Sequence, residues 1–208
     1  MTWQRPSIGF RPVVVLGGGV LGRRIASVFV SGGYDVHIYD LSPETLHTAA
    51  DYVEEQRAVY AALVPASSHP AQPGTLSTFG DLSSAVKNAW LVVEAIPEKL
   101  ELKIDVYGKL DTLCPKDCIF GSNSSSFRSS LMADKIPEER RRLLCNIHFT
   151  MPPDVLTVEL MTSGTTHVEV FSLLTEVLEG CGMLVVKAVK ESTGYVHSYI
   201  QSIAGFIC

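Results

Sequence analysis

Residues 13–16, VVVL, form an uninterrupted apolar run that ends in glycines, the pattern of a strand buried on both faces. Leu21, Ile25, Val28 and Phe29 then recur at helical spacing, and Gly32 and Gly33 stop the repeat. A second strand is predicted over 36–39, ending at Asp40. Ser42 followed by Pro43 has the form of an N-cap with proline at the first helical position, opening a helix predicted to run to about Leu63. The stretch 65–74, PASSHPAQPG, breaks that helix and has the composition of a connection, not of a second domain.

The alternation continues. Strands are predicted at 76–79 and 90–93 around a short helix near 83–87, and Leu100, Ile104, Tyr107 and Leu110 repeat with helical period before a strand at 118–120. A helix around 130–135, strands at 143–149 and 156–161, a helix over 168–179 and a strand at 183–186 complete the order. Strands alternating with helices predict an α/β domain with a doubly wound, mainly parallel sheet over residues 1–190.

Composition narrows the function classes. The chain has 208 residues, 46% hydrophobic and 19% charged, enough to bury the core of one good-sized domain. A net charge of −5 supplies no electrostatic reason to expect nucleic acid or an anionic membrane as partner. The run Arg140, Arg141, Arg142 is expected to be a solvated patch before a strand. The opening MTWQRPSIGFRP lacks the apolar stretch of a signal peptide, and no window approaches a membrane span, so a cytoplasmic protein is expected. Five cysteines without paired spacing predict reduced, mostly buried thiols and neither a disulfide framework nor a metal site.

Between the first strand and the first helix lies GGGVLG, in which Gly17, Gly19 and Gly22 satisfy GxGxxG. Gly17 allows a tight turn, Gly19 lets the main chain approach a pyrophosphate, and Gly22 permits close packing of helix on strand. The helix that begins there offers N–H groups and a positive dipole end to phosphates. The second strand ends in Asp40, whose carboxylate can accept from ribose hydroxyls and would repel a 2′-phosphate, so a Rossmann-type site for NAD, in preference to NADP, is predicted.

Three later segments converge if the sheet is doubly wound: VVEAIPEKLELK (92–103), GSNSSS (121–126), and the stretch from CNIHF to VEL (145–160). Oxidation of a secondary alcohol needs a base for the hydroxyl proton, and His148 at a strand end suits that work. Glu159 in the next strand can fix the tautomer of the imidazole and stabilise its protonated form.

On these motifs the sequence resembles the L-3-hydroxyacyl-CoA dehydrogenase family, and within it the lambda-crystallin/L-gulonate dehydrogenase branch. GGGVLGRRIA, SGGYDVHIYDLSP, VVEAIPEKLELK, SNSSS, HFTMPP to VEL, and STGYV (192–196) follow in family order over nearly the whole chain. The resemblance implies His148 as catalytic acid and base, Glu159 as its partner, and Ser125 on the substrate hydroxyl or keto oxygen. It implies Glu98 and Lys103 near the nicotinamide end of NAD. Val20 and Leu21 within the glycine loop and Asn123 in the serine loop complete the expected cofactor-binding set. Residues 191–208 would be the start of the family's helical second domain, which commonly makes a homodimer and is expected to be largely missing.

The chain departs from the family at Met151 and Ser198, where the family has asparagines, and its EEQRAVYAALV stretch carries the single basic residue Arg57. Three functions therefore stay open. The first is an NAD-dependent 3-hydroxyacyl-CoA dehydrogenase in fatty-acid or polyketide-type specialised metabolism, acting on a small acyl thioester. The second is an L-gulonate-type hydroxy-acid dehydrogenase, and the third a non-catalytic NAD-binding protein.

Overall fold

The computed structural model of the protein describes residues 3–68, 70, 72–188 and 190–191. Eight strands make one sheet: β1 (Val13–Leu16), β2 (Val36–Tyr39), β3 (Leu76–Phe79), β4 (Leu91–Glu94), β5 (Ile119–Ser122), β6 (Leu144–Met151), β7 (Val155–Thr162) and β8 (Leu184–Ala188). Their spatial order is β3-β2-β1-β4-β5-β6-β7-β8. Every neighbouring pair is parallel except β6 with β7. The predicted doubly wound, mainly parallel sheet is therefore what the chain forms. Strand order reverses between β1 and β4, the topological switch point at whose strand carboxyl ends sheets of this kind bind their ligands.

The apolar run of β1 is explained by its alternation. Val13 and Val15 enter one hydrophobic cluster, and Val14 and Leu16 enter the other on the opposite face. The first cluster is covered by α1 (Val20–Ser31), α2 (Pro43–Glu55), α3 (Arg57–Ala61) and α7 (Val168–Gly180). Ile25, Val28 and Phe29 on α1 are at most 1% exposed, and each such burial is worth roughly 1.5–3 kcal/mol. The second cluster is covered by α4 (Leu82–Val86) and α5 (Leu100–Leu113), which contribute Ala85, Val86, Tyr107 and Leu110, with Met132 and Ile136 beside them.

Three expectations are corrected. The helix predicted to reach about Leu63 divides at Gln56, whose φ −92° and ψ 2° close α2 before α3 begins. The break turns Tyr60 inward, where it is 1% exposed and its hydroxyl donates to the Pro152 carbonyl at 2.8 Å. The helix predicted around 130–135 is a single 3-10 turn, Ser129–Met132, followed by a separate short α6 (Glu138–Arg141) led in by Pro137.

The arginine run is not a wholly solvated patch. Arg140 is 3% exposed, pairs with Asp111 at 3.0 Å, and donates to the carbonyls of Pro115, Lys116 and Cys118 at 2.9, 3.1 and 3.2 Å. Its guanidinium also lies 4.7 Å from the centre of the Phe120 ring. It ties the turn before β5 to the segment before β6.

Cys114, Cys118, Cys145 and Cys181 are buried free thiols, while Cys208 lies outside the described residues. Burial pushes the thiols of Cys145 and Cys181 up to about 12, so both stay protonated near neutrality. Among the described residues, no helix is long and apolar enough to cross a membrane.

Candidate functional site

The glycine loop follows β1 at the reversal of strand order. Gly17 has φ +98°, a conformation that disfavours any side chain, and a Cβ there would sit 2.7 Å from the Ala95 carbonyl oxygen. A Cβ on Gly22 would meet the Gly17 carbonyl oxygen at 1.8 Å, so α1 reaches this close to the strand only with glycine. At Gly19 a Cβ would have nothing within 4 Å. The space over Gly19 is open, and α1 starts there with no side-chain cap and no acidic residue in its first turn. Val20 stands 56% exposed at the head of the helix, while Leu21 packs partly on the core.

Asp40 closes the same loop. Its Oδ2 accepts from the Gly18 N–H at 2.8 Å and its Oδ1 from the Ser42 N–H at 2.9 Å. A carboxylate has about four lone-pair positions, so two remain for ribose hydroxyls. An open cradle of main-chain donors at a helix N-terminus, with an acid at the end of the next strand, fits the pyrophosphate and adenosine ribose of a dinucleotide.

The second half of the site follows from the sheet. β4, β5 and β6 are adjacent and parallel, with Glu94 in register with Ser122 and Ser122 with Asn146. The segments beyond these carboxyl ends therefore meet. Along β6, Cys145, Ile147 and Phe149 enter the first cluster, so alternation turns His148 to the other face. On β7, Val158 and Leu160 enter that same cluster, which turns Glu159 the same way as His148. The antiparallel register places His148 directly opposite Glu159.

The result is a line of three side chains. His148 Nε2 lies 3.0 Å from Ser125 Oγ, and His148 Nδ1 lies 3.5 Å from Glu159 Oε2. The side chains of His148 and Glu159 are 11% and 3% exposed, so the carboxylate lies beneath the ring while the Nε2 edge meets the serine loop. Asn123 is 6% exposed, and its Oδ1 accepts from the Phe149 N–H at 2.8 Å, stitching that loop to β6.

Glu98 accepts from Ser124 Oγ, and from the Ser126 N–H at 2.9 Å. Burial alone would raise its carboxyl, but these hydrogen bonds and the charge of Lys103 outweigh burial and hold it below the ordinary value. Lys103, expected beside the cofactor, has a 1% exposed side chain and pairs with Glu94 at 2.6 Å and Glu98 at 3.1 Å. Glu94 is absent from the expected site residues. It is fully buried at the end of β4, accepts from Ser122 Oγ at 2.8 Å and the Ile96 N–H at 2.9 Å, and burial raises its carboxyl against the pull of Lys103. The sequence signal for it is an acid closing an otherwise apolar strand, LVVE, with a lysine on the following helix.

Met151 is 39% exposed at the end of β6, where the register with β7 shifts. Ser198 and the segment 192–196 lie outside the described residues.

This fold and cradle define a dinucleotide-binding α/β domain. Residues 12–192 match the family of the 3-hydroxyacyl-CoA dehydrogenase NAD binding domain, and the chain belongs to that family. Its cofactor is NAD. Among curated relatives it is 27% identical over 191 residues to a 5-formyl-3-hydroxy-2-methylpyridine 4-carboxylate 5-dehydrogenase of Mesorhizobium japonicum, covering 91% of this chain and 61% of that protein. It is 28% identical over 193 residues to a lambda-crystallin homolog of Mus musculus, covering 91% and 60%. The chain thus spans about three fifths of these relatives. A solved structure of a diketoreductase, described as performing dual catalysis of dicarbonyl compounds, superposes with a TM-score of 0.81 at 34% identity, over 95% of this chain and 70% of that one.

Proposed function

We propose that the chain forms the cofactor-binding half of an NAD-dependent dehydrogenase that interconverts a 3-hydroxyacyl and a 3-ketoacyl group. The observation that carries it is the line Ser125–His148–Glu159, with Ser125 at 3.0 Å and Glu159 at 3.5 Å from the two ring nitrogens. Bound NAD supplies the acceptor for the hydride that leaves the carbinol carbon. Gly17, Gly19, Gly22, Val20 and Leu21 would hold its pyrophosphate, Asp40 its ribose, Glu98 and Lys103 would lie toward the nicotinamide end, and Asn123 completes the cofactor-binding set.

The chain's own residues then manage a proton. With the Glu159 carboxylate on the Nδ1 side, the favoured tautomer carries its proton at Nδ1 and leaves Nε2 as acceptor. Nε2 takes the proton of the substrate hydroxyl as the carbon–oxygen double bond forms, and Glu159 stabilises the imidazolium. Ser125 Oγ donates a hydrogen bond to the substrate oxygen, holding it beside Nε2. In the reverse direction the imidazolium returns the proton to the reduced carbonyl.

The acyl group of this proposal is a CoA thioester of fatty-acid or polyketide-type metabolism, handled in the cytoplasm. A hydroxy acid of the L-gulonate type is favoured by one observation: Arg57, the single basic residue of 54–64, is paired with Glu54 at 2.7 Å. NADH absorbance with acetoacetyl-CoA and with gulonate separates the two substrates. His148→Ala is expected to abolish turnover of whichever is accepted while NAD affinity stays unchanged, and a retained rate would remove His148 from the chemistry. NAD binding with no turnover of either would leave a binding role.

A further inference from the structure

Ser125 has neighbours that face elsewhere, Ser122 at the end of β5 and Ser124 and Ser126 in the loop. Ser122 Oγ donates to Glu94 Oε2 at 2.8 Å and accepts from the Ser124 N–H at 3.2 Å. Ser124 Oγ and the Ser126 N–H both donate to Glu98 Oε1, and Ser124 Oγ accepts from the Phe127 N–H at 3.0 Å. The two carboxylates converge on one ammonium, Lys103 Nζ, at 2.6 and 3.1 Å. The groups on either side of Ser125 are thus tied to a single charged cluster beneath the loop.

A buried ion pair is a poor device for stability alone, because removing both charges from water costs about as much as their attraction returns. Glu94 and Lys103 are 0% and 1% exposed, so here the cost is nearly complete. What the pair does provide is direction: a carboxylate with every oxygen occupied accepts a loop donor in one place only.

We propose that Glu94 and Lys103 are positioning residues for the serine loop, anchoring it through Ser122, Ser124 and Ser126 so that Ser125 Oγ is the hydroxyl delivered to His148 Nε2. This rests on Ser125 and His148 forming the reacting pair described above, and goes beyond it by giving Glu94 a role and Lys103 one exercised through Glu94 and Glu98.

The test follows the His148 Nε2 nitrogen by long-range 1H–15N NMR in the full chain without cofactor. Ser125→Ala defines the signal of an imidazole that has lost its serine. Ser122→Ala cuts the link from Glu94 to the loop, and Glu94→Gln with Lys103→Met removes both charges without stranding either.

Both variants are expected to move the His148 signal, and its titration midpoint, at least half of the way to the Ser125→Ala reference. A purely structural role would lower the melting temperature and leave that signal at its parent position. A parent-like signal in folded Ser122→Ala or in the folded double variant overturns the proposal, and if the double variant does not fold, Ser122→Ala decides alone. The NMR readout is independent of turnover, so a His148→Ala protein that keeps its rate would sink the proposed reaction without touching this result.

Discussion

Gly19→Ala separates binding from folding more sharply than any other single change in the cradle. The residue has φ −62° and ψ −169°, which an alanine adopts without strain, and its Cβ would find nothing within 4 Å. Replacing glycine where the backbone already suits alanine stabilises by roughly 0.4–1 kcal/mol through the unfolded chain. Gly19 is also the N-cap of α1, where alanine is the poorer residue by about 0.5–1 kcal/mol. The two offset, so the melting temperature should move by less than about 3 °C.

The methyl group, however, fills the space proposed for the approach of a pyrophosphate to main-chain donors. Losing one charge-assisted hydrogen bond costs about 1.5–3 kcal/mol, equivalent to roughly 10- to 150-fold in Kd. A fluorescence titration with NADH beside a thermal melt reads both quantities. Gly22→Ala is the control: its Cβ would lie 1.8 Å from the Gly17 carbonyl oxygen, and folding should fail. An unchanged NADH affinity in folded Gly19→Ala would refute the assignment of the open space to the cofactor.

Asp40→Ala should weaken NAD binding and narrow the preference over NADP, since it removes both the proposed ribose acceptor and the anchor of the Gly18 N–H at 2.8 Å; parallel titrations with the two cofactors check this. Glu98 is held below the ordinary carboxyl value, so it contributes stability above its unfolded value near pH 4.3, and that contribution is lost as pH falls through the lower folded value. Urea unfolding across that window should show an acid limb that Glu98→Gln flattens, and an identical limb in the variant would count against the linkage. Arg140→Ala should cost about 3–5 kcal/mol in urea unfolding, because it strands Asp111 and three carbonyl acceptors; a loss under about 1 kcal/mol would place Arg140 among surface pairs.

The features legible in the sequence are those written in neighbouring residues. The β1 run, the three glycines and the acid after β2 form one local unit, and their periodicity and spacing survive folding unchanged. His148 and Glu159 are legible as residue types suited to proton transfer. That they face each other depends on β7 running antiparallel to β6, which no period within either strand encodes.

Arg140 is misleading in the sequence because three adjacent arginines have the look of a wet surface, whereas its acceptors are carbonyls around the start of β5 that only the tertiary fold brings to it. Glu94 is hidden for a similar reason. Its partners Lys103 and Ser122 lie on a helix and on another strand, and their convergence depends on the parallel step from β4 to β5.

The one reversal of direction in the sheet also governs how the molecule tolerates motion. The imidazole and the carboxylate face each other across one rung of a single hairpin, so main-chain hydrogen bonds of that hairpin set their separation. Motion of that hairpin as a rigid unit would carry both groups together, and the pair would keep its alignment.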